Sequence, residues 1–257
     1  MARIAEAAGE RIIEVKSGRL AVDIKPDGSP VSAADLAAHD TILLGLESIG
    51  SAIPVVSEES YDDCGLPDGD LFWLVDPLDG TREFIRGGKD YTVNIGLVER
   101  GRPVLGVVYA PETAVAYTAA VGLGAWRAAG RGPAAKIWAS ANGRQITAAV
   151  SKSHFGRRTQ LFLERHRVDR VIQSGSSIKI CLVAEGSAQI YPRLGPTCLW
   201  DSAAAGAVAL EAGCRLIDLE GRPLDYSGTD GIKHNGFIVY SPGAFPGRLV
   251  LPAEYET

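Results

Sequence analysis

Two acidic residues directly follow a short apolar segment in the first half of the chain. Leu71 to Val75 is an apolar run of the length that a buried strand needs. We expect this strand to end at Asp76-Pro77, because proline has no N–H group with which to continue the ladder of hydrogen bonds. Asp79-Gly80 is typical of a turn in which glycine takes a positive φ. Both carboxylates would then lie at the carboxyl end of a buried strand, where open α/β sheets tend to place ligands.

Further acids stand at the ends of two other segments. Ile53 to Ser57 ends in Glu58-Glu59, and Asp201 opens an alanine-rich helical segment. Carboxylates about 4 Å apart repel by roughly 4 kcal/mol at an effective dielectric of about 20, so a cluster of them implies bound cations. All the candidates are oxygen ligands with no nearby Cys or His, which favours Mg²⁺ or Mn²⁺ over zinc.

Each acid also has a purely structural explanation. The alternatives are a strand with an ordinary turn for Asp76 and Asp79, a solvated loop end for Glu58-Glu59, and a cap of the helix Ser202–Ala212 for Asp201. Asp35 follows Ser32 by three residues, as an acid does in a capping box at the start of a helix. Taken singly, these positions leave both explanations open.

Motifs in a fixed order carry a resemblance to a known family. Four of them resemble signatures of the inositol monophosphatase superfamily: Pro30-Val31-Ser32-Ala33-Ala34-Asp35, Val56-Ser57-Glu58-Glu59, Asp76-Pro77-Leu78-Asp79-Gly80-Thr81 and Trp200-Asp201-Ser202-Ala203-Ala204-Ala205-Gly206. The segments Gly175 to Gly186 and Tyr191 to Thr197 narrow the resemblance to the bacterial 3′(2′),5′-bisphosphate nucleotidases of sulfur assimilation within that superfamily. The similarity runs from about Ser29 to Tyr226, which is most of the chain.

The resemblance implies a metal site and its catalytic residues. Glu58, Asp76 and the carbonyl of Leu78 would hold one Mg²⁺, and Asp76, Asp79 and Asp201 would hold a second, with two or three ions in the site. Whether Glu59 is also a ligand stays open. Asp35 and Thr81, with Glu58, would act on the attacking water, and Gly80 and Thr81 would offer N–H groups to the phosphate.

The resemblance also implies contacts to a nucleotide. The residues that it places at the substrate are Asp79, Gly80, Thr81, Ser153, His154, Ser176, Lys179, Arg193 and Asp201. Inositol monophosphatases usually have no basic residue in the helix of Lys179 and have an acid near the position of Arg193. A second, non-reacting phosphate requires such cations. The structural alternatives are a surface lysine for Lys179 and an ordinary loop residue for His154.

The implied reaction is the Mg²⁺-dependent removal of the 3′-phosphate from 3′-phosphoadenosine 5′-phosphate by a metal-activated water, which gives AMP and phosphate. A broader inositol- or sugar-phosphate phosphatase is the first alternative. The second is a catalytically idle nucleotide-binding protein of the same fold, which the retention of all the acids disfavours.

Composition limits the partners and the compartment. The chain has 257 residues and a formal net charge of −5, with no basic stripe, which argues against a nucleic-acid polymer as partner. The expected partner is a small anionic nucleotide. The four cysteines form no C-x-x-C pair. No apolar stretch is long enough to span a membrane, and the sequence does not indicate association with one. We therefore expect a cytoplasmic protein; its oligomeric state is not predictable from the sequence.

Alternating helical and strand patterns predict an α+β protein, and the resemblance implies the layered αβαβα sandwich of the sugar-phosphatase type. Helices are expected at Ile4 to Val15 and at Ser32 to Ser48, with Leu36, Leu43 and Leu46 of the latter facing the core. We expect an N-terminal half over residues 1–130, with most of the metal ligands, and a C-terminal half over 131–257, with the nucleotide contacts and the last metal ligand.

Overall fold

A computed structural model describes residues 1–18, 22–24, 30–62, 65–67, 69–140, 145–152, 155–228, 231–245 and 249–252. Its helices are α1 Ala2–Ser17, α2 Ala33–Ser48, α3 Thr81–Ile85, α4 Arg157–Arg165, α5 Ile178–Ala184 and α6 Trp200–Glu211, with a 3-10 turn at Pro242–Ala244. Its strands are β1 Val22–Ile24, β2 Pro30–Ser32, β3 Val55–Ser57, β4 Leu71–Asp79, β5 Thr92–Glu99, β6 Arg102–Ala110, β7 Val115–Ala120, β8 Gly124–Ala129, β9 Ala135–Ile137, β10 Thr147–Ser151, β11 Arg170–Ser174, β12 Ile190–Arg193, β13 Thr197–Cys198, β14 Arg215–Ile217, β15 Lys233–His234 and β16 Phe237–Tyr240.

Two sheets form the framework. The larger has seven strands in the order β3-β4-β5-β6-β7-β8-β9, and the smaller has five in the order β11-β10-β12-β16-β14. In the larger sheet β3 is parallel to β4, and the remaining pairs are antiparallel. Two short two-stranded ladders, β1-β2 and β13-β15, lie outside these sheets.

Three apolar cores separate the layers. The first joins α1 and α2 to one face of β4, through Trp73 and Val75. The second fills the space between the sheets around α5 and α6 and takes Phe72 and Leu74 from the opposite face of β4. The third joins the smaller sheet to α4, through residues such as Phe162. Because side chains alternate along a strand, each sheet serves two cores, and the result is the predicted αβαβα sandwich.

Helix α6 lies unusually close to the larger sheet. A Cβ atom on Gly106 of β6 would stand 2.0 Å from the carbonyl oxygen of Ala204, and one on Gly96 of β5 would stand 2.9 Å from the Ala204 nitrogen. Glycine in the strands and alanine in the helix therefore permit backbone-to-backbone contact. This approach carries Asp201, in the first turn of α6, toward the end of β4.

The structure corrects two expectations. Strand β4 does not end at Asp76-Pro77 but continues to Asp79, with a shift in its pairing to β5 after Asp76. Leu36 is not in the core, since 49% of its surface is exposed, and α2 is instead anchored by Ala38, Ile42 and Leu46.

The division into halves at residue 130 stays a prediction; β9, which lies after residue 130 in the chain, belongs to the larger sheet. Within the described ranges, no helix combines the length and the apolar character needed to cross a bilayer.

Candidate active site

The irregular end of β4 brings two acids to the same side of the sheet. Asp76 pairs with Asn94 of β5, and Asp79 pairs with Thr92, so three steps along β4 match two along β5. In a regular strand, residues three apart point to opposite faces. The one extra residue in this bulge, which includes Pro77, changes the phase of the strand. Both carboxylates consequently approach the helices that lie between the sheets.

Three of the predicted metal ligands form a tight group. One carboxylate oxygen from each of Glu58, Asp76 and Asp201 lies within 4.8 Å of the other two. Removal from water raises the pKa of Asp76 well above its usual range, and the neighbouring negative charges, of which Glu58 is the first, raise it further. The hydrogen bond from the Leu78 N–H to Asp76 Oδ1, 3.1 Å, fixes the direction of that carboxylate. Such a group of buried carboxylates suits a divalent cation with oxygen ligands.

Asp79 lies beside this group and is held by α5. Its Oδ2 atom accepts a hydrogen bond from the N–H of Ser177 at 2.5 Å. Burial and then the charge of Asp201 raise the pKa of Asp79 to about 7, against a smaller lowering by Lys179. A bound cation would stabilise the ionised form of this acid, which is difficult to ionise in the protein alone.

Asp201 is oriented by the segment that precedes its helix. Its Oδ2 atom accepts hydrogen bonds from the Thr197 hydroxyl and from the Cys198 N–H, the latter at 2.9 Å. Both donors belong to β13 and not to the first turn of α6. These hydrogen bonds therefore do not support the structural alternative, in which Asp201 caps its own helix.

Asp35 makes hydrogen bonds both to the start of α2 and to Thr81, the residue that begins α3. The Ser32 N–H and hydroxyl both donate to its Oδ2, at 2.7 and 2.6 Å, which completes the capping box of α2. Its Oδ1 accepts from the hydroxyl of Thr81 at 2.9 Å. Burial raises the pKa of Asp35, although these hydrogen bonds oppose the change. The same oxygen of Thr81 lies 3.1 Å from the Leu78 carbonyl, at the acidic end of β4.

A cavity of about 140 Å³ opens beside the acids, and two cations line it. Lys179 is 5% exposed; its amine donates to the Ser176 carbonyl and lies 5.3 Å from the centre of the Tyr191 ring. Burial lowers the pKa of Lys179 to about 8, against the opposing effect of Asp79. Arg193 donates to the Pro196 carbonyl at 2.9 Å, and its buried Nε has no hydrogen-bond partner in the part of the chain that the structure describes. An unpartnered guanidinium nitrogen in the wall of this cavity suits an anionic ligand.

The turn after β4 presents backbone to the same cavity. Gly80 has φ +97, and a Cβ there would stand 3.0 Å from the carbonyl of Asp90. Helix α3 begins directly after it, at Thr81. The positive φ expected at this glycine is confirmed.

Comparison with known proteins decides the family. The model of the inositol monophosphatase family matches residues 2–243. The chain belongs to the inositol monophosphatase family. Among curated members, the 3′(2′),5′-bisphosphate nucleotidase CysQ of Shigella flexneri is 42% identical over 246 residues, covering 92% of this chain and 96% of that protein. The CysQ protein of Escherichia coli K12 is 42% identical with the same coverage.

Solved structures of the family agree in fold. The crystal structure of CysQ from Bacteroides thetaiotaomicron, described as a bacterial member of the inositol monophosphatase family, has a TM-score of 0.81 and 35% identity, and covers 93% of this chain and 94% of that one. The Thermotoga maritima inositol monophosphatase has a TM-score of 0.78 at 24% identity and covers 95% and 91%. At this identity, the similarity to the Thermotoga maritima structure supports the fold alone.

Six of the family-predicted site residues line this cavity: Asp79, Gly80, Ser176, Lys179, Arg193 and Asp201. Ser176 stands on its wall, with φ +47. Ser153 and His154 lie outside the described residues, so their roles stay predictions. Sequence reasoning missed Ser177, Thr92 and Asn94, which form a buried hydrogen-bonded group behind the acids. Polar residues at alternate positions of the apolar strand β5 were the available signal for the last two.

Proposed function

We propose that this protein is a Mg²⁺-dependent 3′(2′),5′-bisphosphate nucleotidase, which removes the 3′-phosphate of 3′-phosphoadenosine 5′-phosphate to give AMP and phosphate. The observation that carries the proposal is the juxtaposition of an acidic cluster with Lys179 and Arg193 at one cavity. A single phosphate needs the first of these, and a substrate with two phosphates needs both.

The donor set fits Mg²⁺. Glu58, Asp76 and Asp201 supply converging oxygens, and Asp79 and the Leu78 carbonyl stand beside them as the further ligands expected from the family. When bound, Mg²⁺ supplies positive charge that stabilises the transferred phosphoryl group and makes the attacking water more acidic. The raised pKa values of Asp76 and Asp79 support this assignment, because they mark negative charge that the protein alone leaves uncompensated.

Asp35 and Thr81 are proposed to orient the attacking water and receive its proton. Thr81 gives its hydroxyl hydrogen to Asp35 Oδ1, which leaves the threonine oxygen as an acceptor for a water O–H. Ser32 holds the other carboxylate oxygen, so the acceptor cannot rotate away. Glu58, which directly follows β3, is proposed to act on the same water. The N–H groups of Gly80 and Thr81 are proposed to donate hydrogen bonds to the phosphate oxygens.

Lys179 and Arg193 are proposed to bind the phosphate that does not react. Both line the cavity next to the acids, and the Arg193 Nε is a buried donor that lacks an acceptor among the described residues. Ser176, and Ser153 and His154 by the family resemblance, complete the nucleotide contacts. Cys181 and Cys214 are buried thiols, which agrees with the proposed cytoplasmic location.

A phosphate-release assay on the full chain tests the proposal. Protein stripped with a chelator should be inactive, and added Mg²⁺ should restore release from the bisphosphate nucleotide. Inositol 1-phosphate and fructose 1,6-bisphosphate serve as comparison substrates. A preference for either of these would replace the proposal with the sugar-phosphatase alternative, and no release from any substrate would favour an idle nucleotide-binding protein.

A further inference from the structure

Ser177 occupies the N-cap position of α5, but its hydroxyl does not cap that helix. The Ser177 Oγ donates to Asn94 Oδ1 at 2.7 Å and lies 2.8 Å from Thr92 Oγ1. The amide group of Asn94 donates to Thr92 Oγ1 at 3.3 Å, which closes a triangle of side chains. All three residues are buried, with at most 2% of their surface exposed. The hydroxyl thus ties the first turn of α5 to strand β5 of the other layer.

This triangle of side chains contacts residues that are proposed to bind metal. Thr92 and Asn94 are the cross-strand partners of Asp79 and Asp76. The Ser177 N–H donates to Asp79 Oδ2 at 2.5 Å. Ser177 therefore contacts β5 with its side chain and β4 with its backbone.

Ser177 is also linked to the cavity through its neighbours in the first turn of α5. Lys179 follows Ser177 by two residues in α5, and its amine donates to the carbonyl of Ser176, the residue before Ser177. A shift of this first turn would move the Asp79 hydrogen bond and the Lys179 cation together.

We propose that the Ser177 hydroxyl is a positioning group, which fixes the first turn of α5 so that Asp79 and Lys179 keep a set separation. The inference rests on the proposed function, since it assigns metal binding to Asp79 and phosphate binding to Lys179. Partners behind the direct ligands of a metal commonly change its affinity by about 10- to 100-fold when they are removed. A purely structural role would affect stability alone, because a satisfied buried network also stabilises the fold.

The test replaces Ser177 with alanine, which keeps the N–H to Asp79 and removes the hydroxyl. Two quantities are measured: the Mg²⁺ concentration that gives half of the metal-dependent rise in Tm, and KM for the bisphosphate nucleotide. We expect both to rise about tenfold in Ser177→Ala. The matched control is Ser241→Ala, which removes another buried hydroxyl, bonded to the Ser140 carbonyl and outside the cavity lining. This control should lower Tm and leave both quantities at the wild-type value.

Thr92→Val removes the opposite corner of the triangle with little change of shape and gives a reading even where Ser177→Ala folds poorly. It should raise the same two quantities, and the double variant should be no worse than the more affected single variant, because the pair acts as one unit. Lower Tm with unchanged Mg²⁺ midpoint and KM in Ser177→Ala and Thr92→Val would overturn the inference. A wild-type protein with no Mg²⁺-dependent rise in Tm and no turnover would instead refute the proposed function, and the inference with it.

Discussion

Asp35 uses its two carboxylate oxygens for different purposes. One accepts two hydrogen bonds from Ser32 at the start of α2, and the other accepts one from Thr81. An asparagine in its place would offer one acceptor and one donor group, so it could satisfy Ser32 or Thr81 but not both.

We expect Asp35→Asn to lower kcat by about 10²–10⁴-fold, the usual contribution of a group that assists proton transfer. Ser32→Ala is the matched control, because it weakens the cap by about 0.5–2 kcal/mol while keeping the Asp35 charge. Steady-state kinetics and urea unfolding on both variants separate the effects. If Asp35→Asn lost stability as Ser32→Ala does and kept its kcat, Asp35 would belong to the helix cap alone.

Lys179 should matter only for substrates with a second phosphate. Loss of a charge-assisted hydrogen bond costs about 1.5–3 kcal/mol, and 1.36 kcal/mol is a tenfold change in rate. Lys179→Ala should therefore lower kcat/KM for the bisphosphate nucleotide by about 10- to 100-fold and leave a monophosphate substrate nearly unchanged. Lys136→Ala, at a surface lysine near Trp126 and Trp138, should change neither. Equal losses on both substrates in Lys179→Ala would assign the lysine a structural role.

At the scale of elements, the end of β4 illustrates what the sequence could and could not predict. The apolar run and the turn glycine were readable, because both are local features. The continuation of the strand past Pro77 was not, since it depends on the pairing of Asp79 with Thr92 across the sheet. Similarly, the helical spacing of leucines suggested that Leu36 faces inward, whereas the packing of α1 against α2 selects the face with Ala38 and Ile42.

The turn between β4 and α3 depends on Gly80 in two ways. It has a positive φ, which costs a non-glycine residue roughly 1–2 kcal/mol, and its Cβ would press on the Asp90 carbonyl at 3.0 Å. Gly87, with φ +75, has no atom within 4 Å of such a Cβ. Gly80→Ala should therefore be more destabilising than Gly87→Ala in urea unfolding and should lose at least tenfold in kcat/KM. Equal stability and full activity in the two variants would contradict this account of the turn.

At the scale of the whole molecule, we expect the acidic cluster to make stability depend on pH and on bound metal. The pKa of Asp79 in the folded protein is about 7, above the value of about 3.9 expected in the unfolded chain. Between these values the folded state holds the proton more firmly, so its contribution to stability is complete at low pH and is lost as pH rises through about 7.

Metal-free protein should consequently melt at a higher temperature at pH 6 than at pH 8. Saturating Mg²⁺ should reduce this difference, because the cation replaces the proton as the partner of the carboxylate. Asp79→Asn, which removes the titrating group, should also reduce it and should be at least as stable as the wild type without metal at pH 8. Melting curves at the two pH values provide the check. An identical pH dependence in Asp79→Asn and wild type would show that Asp79 does not carry the effect.

The layered fold and its family followed from the sequence because the motifs are local and occur in a fixed order. What the motifs could not convey is how the layers meet. The triangle of Ser177, Thr92 and Asn94 joins residues 83 and 85 positions apart in the chain, and no periodicity within either segment identifies such a contact.

The measurement that tests the central claim most directly is identification of the product from 3′-phosphoadenosine 5′-phosphate by phosphorus NMR, with Mg²⁺ and with a chelator. Our account predicts AMP and inorganic phosphate with Mg²⁺ and unchanged substrate with the chelator, because Lys179 and Arg193 hold the 5′-phosphate away from the acids. Accumulation of adenosine 3′-phosphate, or equal turnover in the presence of the chelator, would contradict it.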